Sequence, residues 1–193
     1  MDQAWLVVGL GNPGRDYEHT RHNAGARAAE LLARNLDSRM GRSKFRALVA
    51  EARTDGVPLK VARPTTFMNE SGQAVAPLAR WYKIDPDHLI VLHDELDLPV
   101  GQLRLKKGGG TAGHHGLDSI VGSLGTKEFY RVRIGVGKPG DTGETVNWVL
   151  DRLPRAAAEA LGVAEAEAGD AALAIIHEGL DRAMSRFNTR GER

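Results

Sequence analysis

Residues 4–14 read AWLVVGLGNPG, and this stretch decides the architecture. Leu6, Val7, Val8 and Leu10 follow one another without polar alternation, so a strand here carries apolar side chains on both faces. A strand buried on both sides needs cover on both sides, which points to the central sheet of an α/β fold. The run then stops at Gly11-Asn12-Pro13-Gly14, a turn that presents Asn12 at the strand's C-terminal end. In open α/β sheets, ligands bind beyond such ends.

Outward from that strand, helical and extended patterns alternate. Ala24–Leu36 has helical spacing and good helix formers. Phe45–Arg53 and Val57–Arg63 are strand-like runs around Thr54-Asp55-Gly56, an Asp-Gly hairpin signal. A helix is predicted from about Ser71 to Tyr82, a second buried strand over Leu89–His93 and a short edge strand over Gln102–Lys106. His115–Leu124 reads as a helix, Arg131–Val136 as a strand, and Pro154 to about Phe187 as Ala- and Glu-rich helix. With no internal repeat or linker in 193 residues, this alternation predicts a single α/β domain spanning residues 1–193, its sheet flanked by helices on both faces.

Composition narrows the function classes. At 41% hydrophobic and 26% charged, the chain is neither disordered nor fibrous. No apolar run approaches the roughly 20 residues of a spanning helix, and Met1–Leu6 lacks the basic start of a signal peptide. There is no cysteine, which excludes disulfides, cysteine zinc sites and a cysteine nucleophile. These features favour the cytoplasm. The net charge of +1 is unevenly spread: Gly101–Gly140 holds seven basic residues against two acids, and Asp141–Asp181 nine acids against two arginines. Such polarity fits a basic face for phosphate contact, and equally two ordinary solvated surfaces.

Five segments could carry chemistry. Gly9 to Gly14 satisfies G-x-G-x-x-G, but Pro13 and the polar stretch Arg15–Arg21 delay the next helix by about a dozen residues, whereas a dinucleotide site needs it to start inside the turn. The turn therefore reads as a loop presenting Asn12. His22, just before the first helix, suits general-base work near neutral pH, or simply neighbours an N-cap. Asp94 follows the buried strand Leu89–His93 and could orient an imidazole, or cap a polar loop. Neither His19 nor the acids around Asp94 are spaced as metal ligands, so no metal is predicted. In Arg63–Gly72, Phe67 and Met68 offer an apolar wall and Asn69 an amide, or Asn69 serves as an N-cap. In Arg104–Gly116, five close glycines are flanked by Arg104, Lys106, Lys107 and the pair His114-His115, which suits a phosphate cradle or a lid.

Taken in order, VVGLGNPGRDYEHTRHNAG, RPTTFMNESG, LHDELDLP, LKKGGGTAGHHGL and RVRIGVGKPG resemble the bacterial-type peptidyl-tRNA hydrolase family. The resemblance covers residues 5–141 and implies a monomeric α/β fold around a twisted mixed sheet. It also implies a metal- and cofactor-independent esterase that frees tRNA from peptides dropped by stalled ribosomes, with peptidyl-tRNA as its partner. By the same resemblance His22 is the catalytic histidine and Asp94 its carboxylate. Asn12 and Asn69 position the peptidyl part and the attacking water, Tyr17 and Met68 form walls near the ester, and His114 contacts substrate at a gate. Arg104, Lys106, Arg131 and Arg133 meet the tRNA acceptor stem. One position departs: the family usually reads Gly-His-Asn-Gly where this chain has Gly113-His114-His115-Gly116. His115 is thus a substrate-side residue with longer reach and a pH-dependent charge in place of an amide. Residues from about Asp141 to Val149 are expected to act as a partial lid.

Overall fold

β1 (Trp5–Gly9) is buried along its last four residues, as its unbroken apolar run requires. The computed structural model describes residues 2–41, 43–140 and 145–188. The other strands are β2 (Ser43–Lys44), β3 (Ala47–Thr54), β4 (Val57–Pro64), β5 (Leu89–Glu95), β6 (Leu103–Lys107) and β7 (Tyr130–Gly135). The helices are α1 (Ala24–Asn35), α2 (Gly72–Trp81), α3 (His115–Leu124), α4 (Thr145–Leu150), α5 (Arg155–Glu178) and α6 (Leu180–Phe187). Single 3₁₀ turns at Arg21–Asn23 and Met68–Glu70 lead into α1 and α2.

The sheet has seven strands in the order β2-β3-β4-β1-β5-β7-β6. β1 pairs in parallel with β4 and β5, and β5 with β7, while β2–β3, β3–β4 and β6–β7 are antiparallel. The mixed sheet expected from the resemblance is therefore present. The hairpin turn also forms where expected, with Asp55 at φ 46° and Gly56 at φ 85°. On one face, Val7, Ile90 and Leu92 pack with α1, α5 and α6. On the other, Leu6, Val8 and Val91 pack with α2 and α3.

Two features differ from the sequence reading. The C-terminal helical run breaks at Gly179 (φ 84°) into α5 and α6. The short helix α4 has only Leu150 as a strong helix former to announce it. Residues 141–144 of the expected lid lie outside the described residues, whereas α4 begins at Thr145.

The close seating of α1 places the chemistry. Leu10 N–H donates to the Leu92 carbonyl, and Ala26 N–H to that of Leu10, at 3.1 and 2.9 Å. A Cβ on Gly25 would stand 2.1 Å from the Leu92 oxygen, and one on Gly9 2.1 Å from the Gly25 oxygen. Neither contact can yield, because backbone blocks both. Gly25→Ala is expected to lose about 1–3 kcal/mol through overpacking, lowering the thermal midpoint by roughly 2–12 °C for a chain of this size. A variant melting with the parent would show that α1 is not wedged against β5.

Candidate active site

At the C-terminal ends of β1 and β5 a cavity of about 610 Å³ opens. Its lining includes Asn12, His22, Met68, Asn69, Asp94, Lys106, His114, His115 and Arg133.

The centre is Asp94, 3% exposed at the end of β5. Its Oδ2 accepts from His22 Nδ1 and its Oδ1 from His114 Nε2, both at 2.8 Å. An ionised carboxylate only accepts, so both imidazoles must bring an N–H to it. His114 Nδ1 in turn accepts from the backbone N–H groups of Gly116 and Leu117, capping α3. The His114 tautomer is thereby fixed as Nε2–H. His22 is left with Nε2 free of any hydrogen bond to the described residues.

Burial works to raise the pKa of Asp94, but the two imidazoles hold it below the usual carboxylate range. For His22, burial works to lower the pKa, while the charge and hydrogen bond of Asp94 raise it, and the net value lies above the ordinary 6.5. His93, the next residue along β5, is 2% exposed and donates from Nδ1 to the Asp94 carbonyl at 2.8 Å. Burial, the largest cause, pushes it down to about 3. It is a neutral wall against the His114 ring, with centroids 5.1 Å apart.

The ligand atoms of His22, Asp94 and His114 lie within 4.8 Å of one another. They do not suit a metal, because both nitrogens involved carry hydrogens rather than lone pairs. The cluster is a hydrogen-bonded relay.

Asn12 is 8% exposed, and its Oδ1 accepts from Met68 N–H at 2.8 Å. Its Nδ2 is the amide group left for the cavity. Asn23 fixes this orientation by accepting from Asn12 N–H at 2.8 Å and donating to the Asn12 carbonyl at 2.9 Å. Sequence reasoning missed Asn23, since an Asn before a helix reads as an N-cap, yet it makes no capping bond here. Asn69 is not the N-cap of α2 either. Ser71 takes that position, and Asn69 lies exposed in the cavity lining. Tyr17 stands one step back: it meets Phe67 edge-on at 6.5 Å, and Phe67 lines the cavity. His115 is exposed at the start of α3. Thr145, Val146, Val149 and Leu150 bring α4 over the opening.

The four basic residues do not act alike. Lys106 and Arg133 line the cavity, Arg133 being held by Glu95 Oε1 at 2.6–2.8 Å and Lys106 donating to Gly110 O at 3.2 Å. Arg104 turns away to the Asn188 carbonyl. Arg131 is fully buried, donating to the carbonyls of Gly110, Gly109 and Lys127 at 2.7, 3.2 and 3.2 Å. Its expected contact with RNA is therefore corrected: it braces the glycine loop from beneath.

The family model described as Peptidyl-tRNA hydrolase matches residues 6–193. The chain belongs to this family. A peptidyl-tRNA hydrolase of Mycobacterium tuberculosis (strain H37Rv) is 45% identical over 97% of this chain and 99% of its own length. One from Frankia alni is 44% identical over 97% and 95%. The crystal structure of peptidyl-tRNA hydrolase from Acinetobacter baumannii superposes with a TM-score of 0.91 at 36% identity, covering 98% of this chain and 96% of that one. Among the described residues, no helix is long and apolar enough to cross a membrane.

The raised pKa of His22 has a sign that can be measured. A histidine whose folded value lies above its unfolded value contributes stability in full below the unfolded value, here 6.5, and loses it as pH rises through the folded value. NMR titration is expected to place His22 above 6.5 in the native chain, and lower in Asp94→Asn, where the attracting charge is gone. An unmoved titration would remove Asp94 as the cause.

Proposed function

We propose that this chain hydrolyses the ester between a peptide and tRNA, with His22 as general base. The observation that carries this reading is the free Nε2 of His22, opposite a Nδ1 bound to Asp94, in a cavity shared with Asn12 and Asn69. Nε2 takes a proton from water as the water oxygen bonds to the ester carbonyl carbon. Asp94 stabilises the imidazolium and remains ionised. Asn12 Nδ2 and the Asn69 amide donate to the developing oxyanion. Collapse breaks the bond to the terminal ribose oxygen, which takes the proton back from His22, leaving a free ribose hydroxyl and a peptide carboxylic acid that ionises.

Lys106 and Arg133 provide phosphate contact on the β7–β6 flank, supported by the cations' presence in the lining. Binding through such contacts is independent of sequence and weakens with salt. His114 and Met68 shape the wall beside the ester, and Tyr17 supports Phe67 behind it. His115 offers a ring in place of the family's usual amide on the substrate side. In this reading the chain is a monomer that acts in the cytoplasm on peptidyl-tRNA released from stalled translation, with no added cofactor.

Release of tRNA from an N-blocked aminoacyl-tRNA is expected to persist under chelation and to fall about 10²- to 10⁴-fold in His22→Ala, in a variant that still unfolds cooperatively but at a lower midpoint, because Asp94 Oδ2 loses its donor. Intact turnover in that variant would exclude His22 as the base. In the native chain, kcat/KM should rise with pH through a value above 6.5, since only neutral His22 accepts the proton. Affinity that does not change between low and moderate salt would remove Lys106 and Arg133 from phosphate contact.

A further inference from the structure

Between β2 and β3, Phe45 (φ 51°) and Arg46 (φ 61°) both occupy the left-handed region. Two successive non-glycine residues are held there only where the surroundings require it. The outcome is an exposed aromatic pair. Phe45 is 39% and Trp81 58% exposed, with ring centroids 5.7 Å apart and Lys44 Nζ 4.5 Å from the Trp81 ring. Arg46 meets Gln73, and at 3.5 Å Glu70, which shares the 3₁₀ turn of Asn69. Gln73 and Trp81 are two helical turns apart on one exposed side of α2. A continuous strip thus runs from the cavity mouth at Phe67, past Arg46, to the Phe45–Trp81 pair.

The exposure is not scattered. Of the six large exposed hydrophobics among the described residues, Phe67, Val146 and Leu150 line the cavity, and Phe45 and Trp81 form this pair. Clustered apolar exposure beside a cavity marks a binding surface.

The direction of the substrate decides what binds. Lys106 and Arg133 lie on the β7–β6 flank, whereas β4, β3 and β2 stand at the other end of the sheet. The ester sits between them, at β1 and β5. A chain entering over the cationic flank therefore leaves toward β4 and α2. Resting on the hydrolase reading above, we propose that the strip between α2 and the β2–β3 turn is a subsite for the peptide part of the substrate, taking an apolar or aromatic side chain between Phe45 and Trp81. Lys44 adds a preference for an acidic over a basic neighbour. From Asn69 to Trp81 the helical rise is roughly 18 Å, which an extended peptide covers in about five to six residues.

The test compares three substrates on one tRNA: N-acetyl-aminoacyl, an N-acetylated hexapeptide with Phe at its N-terminal residue, and the same peptide with Ser there. The Phe peptide is expected to show a KM about two- to tenfold below the Ser peptide. That gap should close in Trp81→Ala and in Phe45→Ala, with N-acetyl-aminoacyl-tRNA turned over as by the native chain and thermal midpoints confirming that both fold. Equal KM values for the two peptides in the native chain would overturn the subsite. A uniform KM rise over all three substrates in the variants, with weaker binding of deacylated tRNA, would assign the strip to RNA and overturn it equally. No native turnover of any substrate would instead overturn the hydrolase reading, and the subsite with it.

Discussion

The buried charge of Asp94 sets the protonation pattern of the whole site. A carboxylate taken out of water is tolerable only when its oxygens are met by donors, and here each oxygen is met by one imidazole. Because it can only accept, it dictates which nitrogen of each partner carries hydrogen. His22 is left with an Nε2 lone pair facing the cavity. His114 is left with an Nδ1 lone pair, which the first amides of α3 use as their cap. One charge therefore leaves an imidazole nitrogen free toward the cavity, fixes a wall and starts a helix. Truncating either imidazole leaves an unpaired buried charge, which links stability to the same atoms as reactivity.

That arrangement joins three segments far apart in sequence, and this explains how much of it could be read beforehand. The layers were legible because β1 and β5 are continuous apolar runs and Asp55-Gly56 is a turn with its own backbone preference. His22 and Asp94 could each be singled out by position, but nothing in the local pattern distinguishes a catalytic pair from an N-cap neighbour and a loop cap. The order of the motifs tipped the reading, and the 2.8 Å contact between residues 72 positions apart supplies the geometry. Asn23 was illegible for a related reason. Its amide serves the backbone of Asn12, an interaction that exists only once β1 and α1 have met.

The basic segment shows where strand alternation misleads. Arg131 and Arg133 sit two apart on β7 and share a face, so both read as solvent-side cations. β7 is an interior strand, however, lying between β5 and β6, and the glycine loop folds over Arg131. Its burial lowers its pKa, with nearby Glu128 acting against that, and three carbonyls accept from its two terminal nitrogens while Nε has no partner among the described residues. A cation beneath a glycine-rich loop can thus be the part that shapes the loop, while its neighbours Lys106 and Arg133 line the cavity.

The acidic C-terminal half is tied to the loop of His22 in a way its charge alone does not suggest. Glu165 of α5 is 5% exposed and holds Arg27 Nε at 2.8 Å. Burial raises its pKa, and Arg27 offsets part of that rise. Arg27 then donates to the carbonyls of Glu18 and Thr20, at 2.8 and 2.7 Å, which belong to the loop leading into His22. The adjacent Arg21 lies over the Trp148 ring of α4, 3.6 Å from its centroid, and donates to its carbonyl at 3.1 Å. The loop that carries His22 is therefore gripped from two helices that follow it by well over a hundred residues. Breaking a buried pair of the Arg27–Glu165 kind by truncating one partner typically costs about 3–5 kcal/mol, so α5 anchors the loop before His22 as well as packing in the core. Since α4 both lines the cavity and stacks on the neighbour of His22, a displacement of α4 is transmitted to the His22 position.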